Sequence, residues 1–169
     1  TDGGVNWTAV LTVSTNPLLL SGVTDLVMDP QDSQIMVASV LGTGISKTVD
    51  GGTTWTTAMT GLPTGDYSAL PTRIALGIGR LITEAQATVY AGFEVQGTGG
   101  YINSDIYKST DGGSTWAAVP DVGNVVVGYC GTQCTYDNEL GVDPKDPNIV
   151  YALGLYNYNS GSGGIYRSM

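Results

Sequence analysis

Apolar and polar positions alternate along most of this chain, and the alternation breaks where glycine, proline, asparagine and aspartate cluster. The last third shows it clearly: Ile149, Tyr151 and Leu153 share one face of an extended segment. A period of two, carried by β-branched and aromatic residues, marks a half-buried strand. In the last third it predicts strands at 115–119, 138–143, 148–153 and 164–168. No stretch shows a helical period with caps, and the density of Pro and Gly opposes long helices. The expected fold class is all-β.

The pattern also repeats. Asp29-Pro30-Gln31-Asp32-Ser33-Gln34-Ile35-Met36-Val37-Ala38 returns as Asp143-Pro144-Lys145-Asp146-Pro147-Asn148-Ile149-Val150-Tyr151-Ala152, and Ala87-Thr88-Val89-Tyr90-Ala91-Gly92 keeps its end. A second marker reads Gly44-Ile45-Ser46-Lys47, Asp105-Ile106-Tyr107-Lys108 and Gly164-Ile165-Tyr166-Arg167. Periodic self-similarity of this length is the signature of stacked repeats. It divides one unit, 1–169, into repeats at approximately 2–49, 50–110 and 111–169, each of four short strands.

The sharpest repeat is Lys108-Ser109-Thr110-Asp111-Gly112-Gly113-Ser114-Thr115-Trp116. It recurs as Lys47-Thr48-Val49-Asp50-Gly51-Gly52-Thr53-Thr54-Trp55 and, shortened, as Thr1-Asp2-Gly3-Gly4-Val5-Asn6-Trp7. An aspartate can accept hydrogen bonds from nearby amides, and glycines tolerate positive φ. The expected product is a tight, two-residue hairpin, after which the Trp fills an apolar gap.

This nonapeptide resembles the Asp-box, Ser/Thr-x-Asp-x-Gly-x-Thr-Trp, of the sialidase, xyloglucanase and sortilin-like β-propeller superfamily. The Asp50 and Asp111 copies match throughout, while the first copy has Asn6 where Thr is usual. The resemblance implies structural roles for Asp2, Gly4, Trp7, Asp50, Gly52, Trp55, Asp111, Gly113 and Trp116. It also implies about three four-stranded blades of a β-propeller. Propellers usually have about 4 to 8 blades, so the expectation is a fragment completed by the remaining blades of the same or another chain.

Composition narrows the partners. Charged residues are only 12%, glycines number 25, histidine is absent and the net charge is −9. Such a surface repels phosphate, which argues against nucleic acid and anionic membranes. No run of about 20 apolar residues is present to span a bilayer. A polar, weakly charged β-protein points to an extracellular or cell-surface location. Asn6-Trp7-Thr8 is a formal glycosylation sequon that overlaps the first box. Cys130 and Cys134 lack the histidines and further thiols of a zinc site. A local disulfide is the expectation, with two reduced thiols as the alternative, and neither a metal nor a cofactor is expected.

In an up-and-down blade, the box turn and the Asp-Pro turn lie on one face. The connections of variable length, at 11–21, 60–72, 120–137, 41–43, 94–104 and 155–163, gather on the other. Loops on a rigid scaffold are where binding sits. Tyr156, Asn157, Tyr158 and Asn159 form a candidate recognition loop, with a solvated loop as the alternative. Tyr136, Asp137 and Glu139 enter an inner strand as candidate ligand contacts, with the lining of a wet channel as the alternative.

A glycosidase needs two carboxylates about 5 to 10 Å apart. The acids on the variable face or channel, Asp66, Glu94, Asp105, Asp121, Asp137 and Glu139, are not paired by sequence. Arg73, Arg80 and Arg167 lack the Arg-Ile-Pro context of the sialidases, and the Arg-Thr-Asp-x-Gly-Gly run of xyloglucanase-like propellers is absent. No catalytic residue is assigned. The reading is a non-catalytic binding or structural module for a carbohydrate or protein ligand. Alternatives are a portion of a glycoside hydrolase and a self-assembling subunit.

Overall fold

The structure is a computed structural model that describes residues 3–11, 22–63, 73–96, 102–119, 129–130, 134, 136–154 and 164–168. Among these, every helix or strand is a strand. β1 (Val23–Asp29), β2 (Asp32–Val40), β3 (Gly44–Thr48) and β4 (Thr56–Thr57) form the first sheet, in that order. β5 (Ala75–Gly79), β6 (Thr88–Gln96), β7 (Ile102–Ser109) and β8 (Ala117–Ala118) form the second. β9 (Asn138–Val142), β10 (Val150–Gly154) and β11 (Ile165–Arg167) form the third. All neighbours pair antiparallel. β5 packs beside both β1 and β9, so the three first strands line one side of the stack.

Period-two alternation decides which seam each side chain enters. Leu76, Val89 and Ala91 of the second sheet meet Val37 and Ile45 of the first, together with Ala58, Leu62, Ile74 and Trp116. The intervening positions, Ala75, Tyr90 and Ile106, turn the other way and meet Leu140, Val150 and Ala152 of the third sheet. Each fully buried aliphatic side chain contributes roughly 1.5–3 kcal/mol, so the two seams and not a central globule hold the stack together.

The second seam fits small against large. A Cβ on Gly77 would lie 2.9 Å from Val142 Cγ2, and one on Gly79 would lie 2.8 Å from Val142 Cγ1. Only a missing side chain lets Leu140 and Val142 approach β5 that closely.

Polar links cross both seams. Leu76 N donates to Asp25 Oδ2 at 2.8 Å, and Lys47 Nζ donates to Asp111 O at 3.2 Å and Ser114 Oγ at 2.8 Å. On the second seam Tyr90 Oη donates to Pro147 O at 2.9 Å, and Lys108 Nζ to Asn148 Oδ1 at 3.0 Å. The lysine that precedes each turn therefore reaches across to the next sheet.

Three expectations change in detail. Residues 94–104 are not simply a loop: β6 runs to Gln96, β7 starts at Ile102, and the ladder pairs Glu94 with Ser104 and Gln96 with Ile102. Backbone pairing carries this ribbon onward without needing an apolar pattern. The Asp-Gly-Gly turn is wider than a two-residue hairpin, because pairing resumes only at Lys47↔Thr56 and Lys108↔Ala117. The strand expected at 115–119 contracts to Ala117–Ala118, since Trp116 N donates instead to Thr60 O at 2.9 Å in the preceding connection.

Candidate functional site

The two turns centred on Asp50 and Asp111 share one hydrogen-bond scheme. Asp111 Oδ1 accepts from Ser109 Oγ at 2.7 Å and from the amides of Ser114 and Thr115 at 2.9 Å each, while Oδ2 accepts from Thr115 Oγ1 at 2.6 Å. Asp50 does the same with Thr48 Oγ1 at 2.8 Å, Thr54 N at 2.8 Å and Thr54 Oγ1 at 2.6 Å. Both glycines of each pair have positive φ, 70° and 91° at Gly51 and Gly52, and 67° and 87° at Gly112 and Gly113. A side chain at those positions would be strained.

The hydroxyl and amide of Thr54, with the Thr48 hydroxyl, hold the Asp50 carboxyl down at about 2. Burial pushes the Asp111 carboxyl up, but the hydrogen bonds from Thr115, Ser109 and Ser114 outweigh it and leave the group at about 2. These carboxylates are saturated with turn donors. Their arrangement organises backbone, which leaves little acceptor capacity for a ligand.

Trp116 is buried, and its Nε1 donates to Ala58 O at 2.9 Å. Trp55 is partly buried, and its Nε1 donates to Gly52 O at 3.1 Å within its own turn. Trp7 is 88% exposed. The difference follows from what stands beside each: Trp116 has the 58–62 segment of the preceding sheet to dock on.

On the opposite face, where the inner strands begin, a groove of ≈ 490 Å³ opens. Its walls are Arg73, Tyr136, Asp137, Asn138, Glu139, Leu153 and Gly154. Arg73 sits just before β5 and points at the third sheet: Nη1 donates to Tyr136 O at 3.2 Å, and Nη2 reaches Glu139 Oε2 at 3.4 Å. Tyr136 itself is 80% exposed at the rim. Leu153, next to Gly154 on β10, supplies an apolar floor. An exposed phenol ring, an arginine, two carboxylates and an apolar patch can together hold a ligand that has both a flat apolar face and hydrogen-bonding groups.

The candidate residues Tyr136, Asp137 and Glu139 are thus brought together, while Asp2, Tyr156, Asn157, Tyr158 and Asn159 lie outside the described residues. Gly4 and Trp7 lie with the first turn, away from the groove. Asp66 and Asp121 are also outside the described residues, and Glu94 falls within β6. Burial pushes the Asp105 carboxyl up. Among the described residues no cluster of His, Cys, Asp and Glu is arranged to hold a metal, and no helix is long and apolar enough to cross a membrane.

Arg73 and Asn138 are site residues that sequence reasoning passed over. The flanking sequence of Arg73 carries no signal of this role, but its position just before an inner strand, like that of Tyr136 and Asp137, does. Behind the groove, Cys130 and Cys134 are joined by a disulfide with Cα atoms 5.1 Å apart, and both are fully buried in the second seam.

No protein-family model and no curated protein matches the chain. Solved structures do. YCF48 from Cyanidioschyzon merolae superposes with a TM-score of 0.54 at 14% identity, over 89% of this chain and 37% of that one. The GH74 enzyme of Niastella koreensis gives 0.53 at 22% identity over 85% of this chain and 18% of its own. The GH74 xyloglucanase of Xanthomonas campestris gives 0.50 at 20% identity, covering 85% and 16%. These are β-propeller proteins. The three sheets are propeller blades. At these identities the likeness establishes the fold alone, and the chain spans between 16% and 37% of the solved chains it matches. The Arg73–Glu139 groove stands where β5 and β9, the first strands of the second and third sheets, begin.

Proposed function

We propose that this chain is part of a secreted or cell-surface Asp-box β-propeller that acts as a non-catalytic binding module. Its ligand, a carbohydrate or a protein, sits in the groove between the second and third blades. The carrying observation is the exposed Tyr136 ring beside the Arg73–Glu139 pair in a ≈ 490 Å³ groove. An aromatic face for stacking beside hydrogen-bonding groups suits sugar rings, and equally suits a peptide side chain with its amides. Other blades would cover Leu26 and Met28 on the first blade, which are 52% and 48% exposed.

Titration of the ¹⁵N-labelled chain with xyloglucan oligosaccharides, followed by amide shifts, tests the carbohydrate form. Saturable shifts at Tyr136, Asp137 and Glu139 that Tyr136→Ala abolishes would support it. No shift at millimolar sugar would remove carbohydrate of this class and leave a protein ligand.

Likeness to two GH74 proteins, together with two carboxylates in the groove, favours a second reading as a portion of a glycoside hydrolase. Release of reducing ends from xyloglucan, lost in Asp137→Asn and Glu139→Gln, would establish it. A chain that binds the oligosaccharide without cleaving it would sink it.

A further inference from the structure

Directly behind the groove lies a buried polar network. Asn138 is 2% exposed and uses both ends of its amide. Its Oδ1 accepts from Tyr129 Oη at 2.5 Å, and its Nδ2 donates to Gly92 O at 2.8 Å and to Arg73 O at 3.2 Å. One side chain thereby ties together the disulfide-bearing segment, β6 of the second blade and the backbone of Arg73. Tyr129 is equally constrained. It is 2% exposed, and a Cβ on Gly92 would run into its hydroxyl. The backbone of residues 129 and 130 lies so close to Gly154, in the groove wall, that a Cβ there would strike it.

Arg73 shows what this network does. Its guanidinium spans the mouth from Tyr136 O to Glu139, yet its Nε is buried with no hydrogen-bond partner among the described residues. A buried N–H without an acceptor costs free energy, so the guanidinium is held in place by its surroundings against that cost. Asn138 fixes the main-chain carbonyl of Arg73 and Tyr129 fixes Asn138, so the backbone from which the guanidinium extends is held.

We propose that Tyr129 and Asn138 are the positioning residues of the groove, setting the place of Arg73 and, through the chain on either side of Asn138, that of Tyr136, Asp137 and Glu139. This rests on the groove being the ligand site. A binding constellation must be held to within about 0.5 Å by groups whose own rotamers are locked, and a buried amide with all its bonds made to fixed partners meets that demand. Burial, with the Asp105 and Glu139 carboxylates nearby, pushes the Tyr129 hydroxyl far above the ordinary tyrosine range. It remains a donor throughout the pH range in which a protein is folded, so Asn138 keeps one orientation.

The test uses the Arg73 Nε–H as a reporter, read by ¹⁵N NMR on the ligand-free chain. Tyr129→Phe keeps the ring and removes the donor. The expected result is a displaced Arg73 Nε–H signal with about tenfold faster solvent exchange, the equivalent of one lost buried hydrogen bond, while the Arg80 signal on the other face stays put. Gly92→Ala, which keeps every polar group but pushes the hydroxyl aside, is expected to move the same signal. Should Tyr129→Phe fail to fold, Gly92→Ala carries the test alone. An unmoved Arg73 signal in the folded variants, with only a lower melting temperature, would make the pair structural and overturn the proposal. Because no ligand is present, this outcome is separate from failure of the oligosaccharide titration.

Discussion

Arg80 donates from Nη1 to Oδ2 of Asp29 at 2.8 Å, joining the first blade to the second through a carboxylate whose side chain is fully buried. The other guanidinium bonds, to Glu84 O at 3.2 Å and Ala85 O at 2.8 Å, brace the arginine from its own turn. Removing one partner of a buried pair leaves an uncompensated charge. Arg80→Met is therefore expected to lower stability by about 3–5 kcal/mol, read as a shift of the urea midpoint. Asp29→Asn in the same chain should restore part of the loss. A change within about 0.5 kcal/mol, the range of an ordinary surface substitution, would show that the pair contributes nothing net.

The glycine side of the second seam predicts a compensating pair. Gly79→Ala places a methyl 2.8 Å from Val142 Cγ1 and 3.0 Å from Pro147 Cβ. Overpacking of this kind costs about 1–3 kcal/mol. Val142→Ala removes the obstructing methyls, so the double variant is expected to be more stable than the sum of the singles predicts. Strict additivity in thermal unfolding would mean the two residues do not meet.

The three tryptophans should separate by context. Trp116→Ala is expected to cost about 3–5 kcal/mol as a buried aromatic truncated to alanine, and Trp116→Phe about 1–3 kcal/mol for leaving Ala58 O without its donor. Trp7→Ala should stay within about 0.5 kcal/mol. Acrylamide quenching checks the same ordering without unfolding: Trp7 quenches freely and Trp116 resists.

Acid should loosen the turns in a defined window. The Asp50 and Asp111 carboxyls sit at about 2, below the ordinary aspartate value of about 3.9. A depressed folded value means stability that is complete above the unfolded value and is lost as pH falls through the folded one. The loss is therefore expected between roughly pH 4 and pH 2. Asp50→Asn with Asp111→Asn should reduce stability at neutral pH and flatten this acid limb. An identical slope in the double variant would place the acid sensitivity elsewhere.

How much of this could be read from the chain depends on distance along it. The turn at Asp111 was legible because its donors, Ser109, Ser114 and Thr115, are its neighbours in sequence. Strand positions were legible to within a residue or two because alternation is a local property. Arg80 was not readable as the partner of Asp29, since the two are 51 residues apart and nothing beside Arg80 records the pairing. The groove was half legible. Tyr136, Asp137 and Glu139 drew notice as polar residues at an inner strand, whereas Arg73 enters from another blade and Asn138 looks like any other amide until its three partners are placed around it. The ribbon at 94–104 was missed because ladder bonds are made by the backbone whatever the side chains are.

The couplings across the two seams differ, and that fixes the succession of blades. The first seam uses Asp29 with Arg80 and Lys47 with the next turn; the second uses Tyr90 with Pro147, Lys108 with Asn148, and glycines against Val142. By the repeat alignment, a copy of the first blade set after the second would bring Met28 to Gly77 and Gly79 where Val142 fits, and Gln34 to the place where Asn148 accepts from Lys108. Blades that look alike at their turns are thus not interchangeable parts: each carries an address for the one that follows, and shuffling them would scramble the address before it disturbed any single blade.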